Sequence, residues 1–248
     1  ALARTSGVLR LGTIDSLGRR GDHVALAALD SFEPVSPVER AALLEARARC
    51  LDDAAAASDD PHLVLRAAEV RRQQGDASGA IELCDRLASG RTHSRAVQYA
   101  AMQIWLEVDP TGGVDELIAN EEGPLNLSSG DGIRLLTEMT SPEATAILCA
   151  RLRALSGDPS SASAQRAIVR ALGQRGDRAA AAAVASQINS LVGGVARASL
   201  WAIGEIGEAP HAVLLAEYVA RRQPAAQSSL LRLAAPGANL ELVEALRW

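Results

Sequence analysis

The chain has no lysine: the 25 residues counted as Lys or Arg are all arginine. That absence removes whole classes of chemistry. A P-loop holds phosphate with a lysine, pyridoxal phosphate rides on a lysine Schiff base, and a kinase needs the strand lysine that grips ATP. A GC-rich coding bias would produce the same absence, as would selection against lysine modification. Aromatic residues are also scarce, at 2% of a chain that is 48% hydrophobic, so Ala, Leu, Val and Ile carry the apolar content. That composition suits closely packed helices better than a sandwich or barrel, which draws on aromatic and β-branched side chains.

Metal and redox frameworks are missing too. Cys50, Cys84 and Cys149 stand apart with no C-x-x-C spacing, which argues against a disulfide scaffold or a zinc site and for a reducing cytoplasm. His23, His62, His93 and His211 are scattered singly, with no H-x-x-x-H among them. A Cys84–His93 dyad would require proximity that sequence cannot supply. There is no run of about 18 apolar residues and no basic start followed by an apolar segment, so no membrane partner is expected. The sequence starts at Ala1 rather than Met, with no cap before its first apolar stretch, and reads as a piece of a longer chain.

What is present is a repeat. Ile14-Asp15-Ser16-Leu17-Gly18-Arg19-Arg20-Gly21-Asp22 returns as Val169-Arg170-Ala171-Leu172-Gly173-Gln174-Arg175-Gly176-Asp177, and more loosely as Trp201-Ala202-Ile203-Gly204-Glu205-Ile206-Gly207-Glu208. In each, an apolar helix runs into a tight turn before an alanine-rich stretch. Turns fall near Gly21, Gly75, Pro110, Ser141, Gly176, Gly207 and Gly237, and the last five intervals are 35, 31, 35, 31 and 30 residues, the length of one helical hairpin. The first interval is 54 residues and contains an extra or fused helix from Pro37 to Ala57. Helix starts are marked by Ser36-Pro37-Val38-Glu39, where the cap, the proline and the glutamate three residues on make a capping box, and by Asp60-Pro61 and Ser141-Pro142-Glu143, which repeat the cap before a proline. Asp22, Asp76 and Asp177 sit where they would cap each second helix. One apolar stripe runs through Ala144, Ile147, Leu148, Leu152 and Leu155 and another through Val213, Leu214 and Val219. Nothing alternates with period 2, so no sheet is expected.

The helix ending in Leu17-Gly18 or Leu172-Gly173, the Gly-Asp turn and the following alanine-rich helix resemble HEAT-like repeats, particularly the short type of phycobilin-lyase proteins. The unit from Ala67 to Ile81, with Ala68 and Ala80 at small positions, is equally similar to a tetratricopeptide repeat, though it lacks that family's Trp, Tyr and closing Pro. Both families imply an all-α solenoid, an α-α superhelix of about six to seven hairpins forming a single repeat domain over 1–248. An open terminal repeat would leave an apolar face, such as Leu240, Val243, Leu246 and Trp248, free for self-association.

No chemical constellation converges. Asp52, Asp53, Asp59, Asp60 and His62 form the densest acidic cluster but lack calcium-loop order and read as a solvated loop. Ser128-Ser129-Gly130-Asp131-Gly132 reads as a helix cap with no preceding strand, and Trp105 and Trp201 read as core. The expected function is therefore a non-catalytic protein-binding scaffold or sensor without cofactor or metal. The alternatives are HEAT-like enzymes, of the phycobilin-lyase or DNA-glycosylase kind. A net charge of −5 with one Phe and two Tyr disfavours nucleic acid. Charge is uneven, however: residues 1–144 carry 14 Arg against 23 acids, and residues 145–248 carry 11 Arg against 7. The resemblance implies that second helices line the concave face. Off their stripes lie Arg151, Arg153, Arg221 and Arg222, the expected contacts for an acidic partner.

Overall fold

A computed structural model describes residues 2–57, 60–88, 93–120, 123, 125–127, 129–207, 209–220 and 224–234. The fold is all-α: the described residues form fourteen α-helices, two short 3-10 turns and no strand. None of these helices is long and apolar enough to cross a membrane. The chain packs as two compact units, Ala1–Asp109 and Pro110–Trp248.

The first unit holds α1 (Leu2–Arg20), α2 (His23–Asp30), α3 (Pro37–Ala57), α4 (Pro61–Gln74), α5 (Ala77–Ala88) and α6 (Arg95–Val108). Each helix packs on its neighbours in sequence, and α1 packs on α3 as α4 does on α6. The second unit holds α7 (Pro110–Ala119), α8 (Gly130–Glu138), α9 (Ala144–Ala154), α10 (Ala162–Arg175), α11 (Ala181–Ala185), α12 (Gly193–Ile206), α13 (Ala209–Ala220) and α14 (Pro224–Ala234). Here two rows appear. The helices α8, α10, α12 and α14 stack in one row, and α7, α9 and α11 in the other.

Local signals place the turns. Gly21, Gly75 and Gly176 have φ of 68°, 79° and 69°, a left-handed conformation that a side chain disfavours. The aspartate that follows each one caps the next element: the carboxylate of Asp22 accepts from Ala25 N at 2.7 Å, that of Asp76 from Gly79 N at 3.0 Å, and that of Asp177 from Ala179 N at 2.9 Å. These bonds hold the Asp22 and Asp76 carboxyls below the usual carboxylate range; for Asp177 the larger cause is a hydrogen bond from Thr145, with Ala179 N next. Asp60 caps α4 through His62 N at 2.9 Å.

The repeated glycine has a packing reason. An added Cβ on Gly18 would sit 2.7 Å from Ala46 Cβ, on Gly173 2.6 Å from Trp201 Cζ3, and on Gly204 2.7 Å from Ser229 Cα. In each case the helix touching the glycine is the next one in its row: α3 on α1, α12 on α10, α14 on α12. The repeat therefore encodes a close helix–helix approach as well as a turn.

Several expectations need correction. At Ser141 the helix starts late: Ser141 Oγ accepts from Glu143 N at 3.2 Å within a turn, and α9 begins at Ala144 with no side-chain cap. Half of the capping box at Ser36 forms, Ser36 Oγ accepting from Glu39 N at 3.1 Å, but the Glu39 carboxylate accepts instead from Val35 N at 2.9 Å and from Arg10 Nε at 3.1 Å. Of the stripe Val213, Leu214 and Val219, Val213 is 69% exposed and the other two are half-buried, while Ala212, Leu215 and Tyr218 are buried. After Gly176 the chain takes a 3-10 turn before the five-residue α11, so that hairpin's second helix is much shorter than its alanine content implies. Gly207 has φ −70°, so the looser third copy lacks the left-handed turn. Gly237, Leu240, Val243, Leu246 and Trp248 lie outside the described residues.

Candidate functional site

The row α8–α10–α12 frames an open groove of about 820 Å³, within the range of small-ligand sites. Four arginines line it: Arg134 from α8, Arg166 and Arg170 from α10, and Arg197 from α12. Ile133, Ala198 and Trp201 supply its apolar wall, and among the described residues no carboxylate lines it.

The repeat generates this cluster. Arg134, Arg166 and Arg197 are 32 and 31 residues apart, one repeat length, so they occupy equivalent positions on three successive helices of the row. Arg170 follows Arg166 at i+4, on the same side of α10. Gln174 continues that stripe, accepting from Thr137 Oγ1 at 2.9 Å. The neighbouring Arg175 donates through Nη1 to the carbonyls of Thr137 and Met139 at 2.9 and 2.8 Å, closing the free carbonyl end of α8 and fixing α8 against α10. On the far side Trp201 is held where Gly173 has no side chain. Arg166 reaches across to α12, since a Cβ on Gly194 would lie 3.8 Å from its Nη1.

Charge balance separates this groove from the groove of the first unit. Arg134 Nε has an exposed i,i+4 partner, Glu138, at 3.5 Å, a pairing of only about 0.3–0.5 kcal/mol. Arg197 Nε donates to Gly193 O of its own helix at 3.4 Å. Neither Arg166, Arg170 nor Arg197 has a carboxylate within ion-pair distance among the described residues. Like charges at i,i+4 destabilise a helix by about 0.2–0.5 kcal/mol, so the row carries an electrostatic cost that a bound anion would relieve. A groove of about 500 Å³ in the first unit shows the opposite arrangement. Its arginines are neutralised: Arg47 and Arg66 by Asp30, at 3.4 and 2.5 Å, and Arg72 by Glu69 and Glu107, at 2.6 and 3.1 Å.

The residues singled out in the sequence fare differently. Arg151, on α9, is held by an ion pair to Asp115 of α7. Arg153 is exposed on α9, which belongs to the other row from the groove. Arg221 and Arg222 lie outside the described residues. Trp105 is core, at 9% exposure, but Trp201 is half-buried and lines the cavity, because the helix it faces offers a glycine. Gly130, read as part of a cap, also lines the cavity, and Ser129 Oγ does cap α8 by accepting from Gly132 N at 3.1 Å. Asp52 of the acidic cluster is tied to Arg71, while Asp59 and Ser128 lie outside the described residues. Among the described residues no group of three or more His, Cys, Asp or Glu is placed to hold a metal.

Cys84 is fully buried, and its thiol is pushed up to about 12 by burial and, secondarily, by the Glu69 carboxylate. Such a sulfur does not serve as a thiolate nucleophile at neutral pH. Cys50 is likewise fully buried and Cys149 is 5% exposed. The groove can take an anion and an apolar side chain: among the described residues its lining is arginine, glutamine, glycine, Ile133, Ala198 and Trp201. Comparison with family models, with curated proteins and with solved structures finds no match.

Proposed function

We propose that the chain is a non-catalytic protein-binding module of HEAT-like build, with a tetratricopeptide-like first-unit hairpin, working in the cytoplasm. Its second unit captures an acidic segment of a partner protein. The observation that carries this reading is the groove of Arg134, Arg166, Arg170 and Arg197, with no carboxylate in its lining among the described residues. Guanidinium forks match carboxylates in a bidentate way, and a cluster of arginines draws an anionic segment by steering as well as by contact. The cytoplasmic assignment is supported by three cysteines that are all free and all buried.

This reading moves the weight of the contact from Arg151, which Asp115 already neutralises, to the α8–α10–α12 row. Arg153, Arg221 and Arg222 are secondary candidates. A nucleic-acid ligand would share the cations, but a single-stranded site stacks successive bases on several aromatic side chains. Among the described residues Trp201 is the one aromatic residue lining this groove.

The test is fluorescence anisotropy of a labelled glutamate-rich peptide against the whole chain, at low and at high salt. Wild type is expected to bind at low salt and weaken as salt screens the contact. Arg166→Glu with Arg170→Glu should abolish binding, while Arg153→Glu leaves it within about twofold, as expected of a charge outside the contact. Binding that survives the double variant, with helical content intact, would refute the site.

A further inference from the structure

The arginines form a ladder, and its pitch says what kind of chain lies along it. Arg134, Arg166 and Arg197 sit at equivalent repeat positions, 32 and 31 residues apart, on helices that stack directly on one another. Packed helix axes are about 8–10 Å apart, so successive rungs advance by that distance along the groove. A polyproline-II chain has three residues per turn and a rise of about 3.1 Å per residue, or about 9 Å per turn. It presents every third side chain on one side at the spacing of the rungs. A β-strand does not, because its residues i and i+3 point to opposite faces.

The wall between the rungs fits the same ligand. Trp201 stands on α12, half-exposed to the cavity, with its ring lodged where Gly173 lacks a side chain. Ile133 stands half-buried on α8. Proline rings of an extended chain pack on an aromatic face such as that of Trp201, and they do so without the entropy loss of ordering a flexible chain. Arg170 lies on the same stripe as Arg166 and supplies a second cation at the middle rung, so that rung is the strongest.

We propose that the groove reads an acidic, proline-containing segment in the polyproline-II conformation, with a carboxylate at every third residue on Arg134, Arg166 and Arg197 and the intervening residues against Trp201 and Ile133. This rests on the acidic-segment reading above and specifies the partner's conformation and register.

Three labelled peptides of equal charge test it by anisotropy against the whole chain at low salt: four Glu-Pro-Pro triplets in series, the same residues with the four glutamates clustered at one end, and a longer helix-forming peptide with four glutamates, one at every seventh position. The triplet peptide is expected to bind about 10-fold tighter than the clustered one, the difference of one charge-assisted contact. Arg166→Gln, with helical content checked by circular dichroism, should erase that preference by removing the middle rung. Trp201→Phe, which keeps an aromatic ring over Gly173, should retain it. Equal affinity for the triplet and clustered peptides would overturn the register while leaving the acidic-segment reading standing. Tighter binding of the helical peptide would overturn the extended conformation alone. No binding of any peptide, or tighter binding of a single-stranded oligonucleotide of equal charge, would overturn both readings.

Discussion

Replacing Gly18 by alanine tests whether the repeat glycine exists for close packing. Two glycines of α1 lie six residues apart: at Gly12 an added Cβ meets nothing within 4 Å, whereas at Gly18 it would stand 2.7 Å from Ala46 Cβ and 2.9 Å from Ala46 Cα on α3. Both changes bring the same helix-propensity gain, about 0.8–1 kcal/mol relative to glycine. Only Gly18→Ala also forces α1 and α3 apart, an overpacking cost of about 1–3 kcal/mol that a backbone neighbour cannot relieve by a rotamer change. Propensity cancels in the difference between the two variants, which isolates the steric cost. For a urea m-value of about 2 kcal/mol/M, a difference of 2 kcal/mol separates the two midpoints by about 1 M. The assay is urea unfolding followed by circular dichroism at 222 nm, with Gly12→Ala expected above wild type and Gly18→Ala expected below Gly12→Ala. The same ordering is expected for Gly204→Ala, where the obstacle is Ser229 Cα at 2.7 Å. Equal midpoints for Gly12→Ala and Gly18→Ala would refute the close-approach account of the repeat.

Acid should destabilise the protein in a defined direction. Glu39, Asp22, Asp76, Asp158 and Asp177 are all held below their ordinary values, Glu39 by the Val35 backbone N–H and then by Arg10. A carboxyl lowered in the folded state contributes stability that is fully present above its unfolded value and is lost as pH falls through the folded one. Urea midpoints should therefore hold from pH 7 to about 5 and drop below about pH 4, less so in Glu39→Gln; a midpoint unchanged at pH 3 would contradict the capping and ion-pair geometry. The three buried cysteines should resist a thiol reagent in native buffer and all react in denaturant, since each is at most 5% exposed. Rapid native labelling of Cys84 would refute its placement. Arg175→Ala should leave the carbonyls of Thr137 and Met139 without their donor, at about 1–3 kcal/mol, and loosen α8 so that its amides exchange faster with deuterium.

What was legible in the sequence is what is decided within a few residues. The left-handed glycines 21, 75 and 176, the aspartate caps that follow them and the bounds of α3 at Pro37 and Ala57 all follow from local backbone chemistry. The groove is decided elsewhere, by which helix lies beside which. Arg151 reads as an available cation until α7 brings Asp115 to it, and Trp201 reads as core until the helix it faces turns out to carry a glycine. Reading each helix by itself misses Arg134, Arg166 and Arg197, because within its own helix each is an ordinary polar-face arginine. Setting the repeats in register exposes them, since spacings of 32 and 31 residues match the repeat length. The equivalent position in the next helix of the row, α14, lies 31 residues beyond Arg197 at Ser228, exposed and uncharged. The ladder therefore stops at three rungs, and the partner segment it can read through charge spans about seven residues at polyproline-II spacing. Introducing a fourth rung as Ser228→Arg should tighten the triplet peptide by about one further charge-assisted contact, roughly 10-fold, and leave the clustered peptide unmoved. Equal gains for both peptides would mean that added charge acts at a distance, without register.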